Sequence, residues 1–232
     1  MRNLIILLLI CLSYISCVQA GVVIGGTRVV YGEGQNSVTL SLRNNSPFAW
    51  LINSKISTGG SWTGGESSAE KAPFVITPPL FTLKAGRENV LRVIYTGAEL
   101  PRDRESLFTL NIATIPSGQV KDGSLQVAVR SHLKLFYRPK GLQGVAQDAY
   151  QQLRWSMAGH QLLVENPTPY YVTIFKLQVN GQEIGNAGIV SPFSQRKVSS
   201  CPNAEQCAIR WQGINDYGRV MPVRRNVKDL RH

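Results

Sequence analysis

Histidine is scarce in this chain: His132, His160 and His232 are the only three in 232 residues, and they lie far apart. That removes the commonest general base and the commonest zinc ligand from most catalytic constellations. No GxSxG, HExxH, phosphate-binding loop or dinucleotide fingerprint occurs. Asp103 and Glu105 share one face of an extended segment, but Arg87, Arg102 and Arg104 nearby make ion pairing their expected fate. The chain offers no nucleophile and base that belong together, so it is expected not to be an enzyme and to need no cofactor or metal.

Cysteine is nearly as rare, with four residues. Cys11 and Cys17 fall in the leader described next, which leaves Cys201 and Cys207 as an even pair closing a short loop by a disulfide in an oxidising compartment. Long apolar runs are absent except at the start. Arg2, the run Leu4 to Leu12 and the small-x-small site Val18-Gln19-Ala20 read as a secretory signal peptide over residues 1–20, with the mature chain starting at Gly21. No later run could span a bilayer, so the product is not expected to be an integral membrane protein. Acidic residues are few, 14 against 25 basic ones, and the formal net charge of +11 falls to about +10 without Arg2. An exported chain meets little nucleic acid, so the excess points to an anionic partner surface or a carboxylate to be held.

A sustained helical period is also missing. Val22 to Tyr31, Ser37 to Arg43, Ala49 to Ile56, Val90 to Tyr95 and Leu107 to Ala113 are β-rich runs between Gly, Asn, Pro and Ser clusters. Gly25-Gly26 predicts a bulge or a switch between sheets in the first of them. Thr58 to Gly65 and Pro78-Pro79 read as loops. A hinge composition at Pro139 to Gly144 divides residues 21–141 from a second β-series over 145–232. That series comprises Gln152 to Ser156, Gln161 to Glu165, Tyr171 to Val179, Lys197 to Ser199, Ala208 to Gln212 and Arg219 to Val223, with a hairpin at Asn180-Gly181. No repeats are evident. The expected fold is all-β, as two antiparallel sandwiches, the second the smaller.

The stretch Ser124 to Pro139 organises the rest. Leu125, Val127, Val129, Leu133, Leu135 and Tyr137 fall on one parity, and Gln126, Arg130, His132, Lys134 and Arg138 on the other. As one strand it would run roughly 45 Å, well beyond the usual five or six residues. Alternation alone is equally met by a strand whose apolar face lies wholly in its own core. The excess length suggests instead one part in that core and one available to something else.

Six segments in order carry a resemblance. They are Thr27-Arg28-Val29-Val30-Tyr31, Thr77-Pro78-Pro79, Pro101 to Phe108, Lys134 to Pro139, Glu165 to Tyr171 and Ile214 to Gly218. Together they resemble the periplasmic chaperones of the chaperone-usher pathway, the PapD-like family that assembles pili. The short segment between Ile115 and Leu125 is similar to the short-loop subfamily. The Gly-rich Thr58 to Gly65 and the placement of Cys201 and Cys207 depart from its familiar members.

The resemblance implies a boomerang of two immunoglobulin-like sandwiches in the periplasm that binds, folds and caps pilus subunits by lending them a strand, then delivers them to an outer-membrane usher. It implies that Arg28 and Lys134 anchor the subunit's C-terminal carboxylate and that Leu125, Val127 and Val129 fill its groove. It assigns Glu105, Arg138 and Asp216 to an ion network between the domains. Whether a free copy caps its exposed strand with a second copy is left open. The competing reading is an adhesin or pilin-type module on the same sandwich. Such a subunit should carry an alternating extension ahead of its first strand, and here Arg28 follows the mature start almost at once.

Overall fold

The computed structural model describes residues 21–59, 71–118, 126–185, 187–201 and 207–226. The leader, Leu125 and most of the Gly-rich stretch lie outside these. The first sandwich is built from β1 (Val22–Ile24), β2 (Arg28–Gly32), β3 (Val38–Asn44), β4 (Ala49–Thr58), β5 (Phe74–Thr77), β6 (Leu80–Leu83), β7 (Glu88–Tyr95), β8 (Ser106–Ser117) and β9 (Val129–Arg138). One sheet has the order β1-β3-β7-β5 and the other β2-β9-β8-β4-β6. Alternate side chains of each sheet point inward, and Leu42, Leu91 and Val93 meet Ile52, Leu110, Ile112 and Leu135 in a core closed to solvent.

The expected first strand is two strands. β1 pairs antiparallel with β3, whereas β2 crosses to the other sheet and pairs parallel with β9. The crossing occurs at Gly25-Gly26, and glycine is required there by proximity: a Cβ on Gly25 would collide with the Ser41 side chain. The short strands β5 and β6 flank Pro78-Pro79, where composition pointed only to a loop.

The second sandwich follows the linker. A 3-10 helix (Ala146–Gln152) leads into β10 (Arg154–Ala158), β11 (Gln161–Asn166), β12 (Val172–Val179), β13 (Gln182–Ile184), β14 (Ile189–Val190), β15 (Ser194–Ser200), β16 (Ile209–Gly213) and β17 (Arg224–Asn226). The sheets are β10-β11-β15 and β13-β12-β16-β17, with β14 also on β12. Asn180 and Gly181 link β12 to β13 with both φ angles positive, 51° and 83°, as a two-residue hairpin of the twisted kind requires. The last strand lies later than alternation suggests. Residues 219–223 fold back on the end of β16 through Met221 N–H to Gly213 O, and the ladder resumes only at Arg224. Cys201 and Cys207 are bonded, with Cα atoms 6.3 Å apart.

Both sandwiches contain the same polar clamp. Asn44 is fully buried, accepts from Ser46 N–H and Oγ, and donates to the carbonyls of Phe48 and Leu83. Asn166, equally buried, accepts from Thr168 N–H and Oγ1 and donates to the carbonyls of Tyr170, Val190 and Ser191. Each side chain satisfies backbone groups that a turn would otherwise bury unpaired.

Candidate functional site

The organising strand is shorter than alternation predicts. β9 begins at Val129, opposite Thr114, because its ladder with β8 ends there. Pro116, two residues further along β8, has no N–H to extend it. Within β9 the two edges differ. β8 pairs one edge from Val129 to Tyr137, but β2 covers the other only from Lys134 to Arg138. Among the described residues, the edge from Val129 to Leu133 therefore has no strand beside it. The apolar parity divides at the same place. Leu133, Leu135 and Tyr137 are in the core, while Val127 and Val129 are 58% and 52% exposed. Unpaired backbone beside exposed valines is a template for another strand.

The other parity faces away from the core, and the place where the open edge meets β2 is marked by charge. Arg28, the first residue of β2, is the register partner of Lys134. Burial, with the nearby Arg28 charge adding to it, lowers the Lys134 ammonium to about 8 from the ordinary 10.5. Burial also lowers the Arg28 guanidinium, against the opposing pull of Asp216 and Glu105. Arg28 Nη1 donates to Ile214 O at 3.2 Å, and its buried Nε has no hydrogen-bond partner. Two adjacent, partly desolvated cations make a site for an anion, whose charge would offset the cost of their burial.

Four residues further on, Arg138 joins the domains. Its Nε donates to Glu105 Oε1 at 2.6 Å, and Nη1 and Nη2 grip the Asp216 carboxylate at 2.7 and 2.9 Å. Its planar fork thus holds one acid from each domain. The guanidinium also lies over the Tyr170 ring, 5.4 Å from its centroid. Glu105 is 3% exposed, and its other oxygen accepts from Tyr171 N–H at 2.7 Å. Burial pushes the Glu105 carboxyl up, partly offset by the Arg138 charge. For Arg138, burial alone would lower the guanidinium, but the bonds to Asp216 and the charges of both acids outweigh it and hold it above its ordinary value.

Two features of this face were not read from sequence. Phe136 shares parity with Lys134 and Arg138, so it points out of its own core; it is nonetheless buried, 5.8 Å from the Tyr171 ring of the second domain. An aromatic among polar residues of one parity was the available signal. The buried polar residues Thr109 and Asn111 of β8 lie on the same outward face, opposite Lys134 and His132.

The same architecture occurs in known proteins. Residues 21–143 match the family described as pili and flagellar-assembly chaperone, PapD N-terminal domain. Residues 148–224 match its companion, the pili assembly chaperone PapD C-terminal domain. The chain belongs to the PapD family of pilus-assembly chaperones. This chaperone is 47% identical over 201 residues to the fimbrial chaperone YcbF of Escherichia coli K12, covering 86% of this chain and 85% of the relative. It is 36% identical over 209 residues to the chaperone protein FimC of the same strain, covering 88% and 83%. Among solved structures, it resembles a chain of the Salmonella enterica SafA pilin in complex with the SafB chaperone. The TM-score is 0.79 and the identity 30%, with 92% of this chain and 99% of that one covered.

Proposed function

We propose that this chaperone works in the periplasm, holding a pilus subunit that lacks its final strand and passing it to an outer-membrane usher. The observation that carries the reading is the open edge of β9, flanked by Val127 and Val129 and ending at Arg28 and Lys134. A strand laid on that edge is collinear with β2. Because β2 runs parallel to β9, and because the two cations lie at the end of the open edge, a docked strand that presents its carboxylate there also runs parallel to β9.

Its backbone pairs with Val129 to Leu133, and Val127, Val129 and Leu125 enter the apolar slot of the incomplete subunit. Each half-exposed valine contributes about 1 kcal/mol on full burial. The carboxylate fixes register, since a slip of one residue would turn the valines out of the slot. The Arg138 network sets the angle between domains 21–141 and 145–232, and so the position of the second domain over the docked strand. Capping of the free edge by a second copy is the alternative occupancy when no subunit is present.

The test is co-expression with candidate subunits and purification from the periplasm. Wild type should recover a one-to-one complex. Arg28→Ala and Lys134→Ala, folded by circular dichroism, should lose most of it. Folded variants with normal recovery would place the anchor elsewhere.

A further inference from the structure

One step along β9 from Lys134, the outward face holds a second oriented group. His132 and Asn111 are direct cross-strand partners, and His132 Nδ1 lies 2.7 Å from Asn111 Oδ1. Asn111 is buried, and its Nδ2 donates to Ser57 Oγ at 3.1 Å and to Thr109 O at 3.3 Å. Those two acceptors fix the amide, so its oxygen faces the ring and His132 Nδ1 must carry the proton. Nε2 is then the ring nitrogen left for another molecule, and in the neutral imidazole it is an acceptor. His132 itself is exposed and lies on the stretch of β9 whose edge is open.

We propose that His132 is a specificity-determining residue, which hydrogen-bonds a neutral donor side chain near the C-terminus of the docked subunit strand. The inference rests on the carboxylate anchor proposed above. With the carboxylate at Lys134, the last residues of the docked strand lie beside Ser131 to Leu133, and every second side chain shares the outward face. One of the last two side chains therefore lies next to His132. Its chemistry is limited by the surroundings. Nε2 accepts, so serine, threonine, asparagine, glutamine or tyrosine is favoured over an apolar isostere. Lysine or arginine is disfavoured by the cations on the same face, Lys55 on β4 and Arg130 and Lys134 on β9.

The probes are N-acetylated ten-residue peptides with alternating valines, a free C-terminal carboxylate and either threonine or valine at each of the last two positions. Calorimetric affinities for the full chaperone should favour threonine at one of those positions by roughly two- to tenfold, the worth of one net hydrogen bond. His132→Phe should erase that ratio, His132→Gln should restore part of it, and Asn111→Leu should shrink it by freeing the ring. C-terminal amidation should weaken every peptide equally in wild type and His132→Phe. A threonine-to-valine ratio near one in wild type, or one that survives His132→Phe, overturns the inference while the amidation effect keeps the anchor. Loss of the amidation effect overturns both.

Discussion

Lys134 makes the proposed anchor titratable within a few pH units of neutrality. In the free protein its ammonium titrates at about 8, lowered by burial and then by Arg28. About nine-tenths of it is charged at pH 7 and about one-tenth at pH 9. A bound carboxylate favours the charged form and raises that value in the complex. Affinity therefore falls as pH rises, by about tenfold between pH 7 and 9 if the bound value exceeds 10, a loss of about 1.4 kcal/mol.

The sign for folding runs the other way. A base whose folded value lies below its unfolded 10.5 destabilises the fold while charged, in full below about 8 and not at all above 10.5. The free chaperone should gain stability over that interval while its affinity declines. The assay is calorimetry with an acetylated C-terminal strand peptide from pH 6.5 to 9.5, alongside its amide. Lys134→Arg should keep affinity and flatten the profile, and Lys134→Met should weaken binding at every pH. Wild-type affinity that is constant from pH 7 to 9 would refute the assignment of Lys134 as a carboxylate ligand.

Three other outcomes follow from the same structure. Arg138→Ala leaves Glu105 buried without its cation and should cost about 3 kcal/mol in urea unfolding; an unchanged midpoint would reduce the network to decoration. In that variant the Glu105 carboxyl should rise further, so the deficit should narrow as pH falls below neutrality. Asn166→Ala strands the carbonyls of Tyr170, Val190 and Ser191 and should also cost about 3 kcal/mol, with Thr168→Val costing less. Cys201→Ser with Cys207→Ser should lower stability by about 2 kcal/mol, the loop-closure entropy for a sequence separation of 6. Thiol titration of the denatured, unreduced wild type should find no free thiols.

Alternation was sufficient to read most of the ladders, because a half-buried strand writes its two faces into the sequence. It found β3, β4, β7 and β8, and turn chemistry found the Asn180-Gly181 hairpin. It failed where length or partner decides. β5 and β6 have four residues each, too few to show a period beside two prolines. β17 was misplaced because hydrogen bonding to Gly213, a tertiary matter, occupies residues 219–223. The strand from Ser124 was overextended because parity says nothing about where a neighbour's N–H groups end. Of the candidate site, the charges were legible as residues, but the meeting of Glu105, Arg138 and Asp216 spans the two domains and needed the resemblance. Phe136 was missed because one aromatic on a polar parity looks like noise until Tyr171 is placed against it.

The crossing of the first strand at Gly25-Gly26 acts as a gauge for whatever lies on β9. Its position decides which residue of β2 is the first to occupy the edge, and thus where any guest must stop. Moving the crossing two residues earlier would let β2 claim Leu133 and His132, shortening the open edge from five residues to three, by about 7 Å. Arg28 would stay opposite Lys134 but behind the two added residues of β2, so a guest's terminus would stop short of both cations. The length of the open edge is thus set by a pair of glycines that lie outside it.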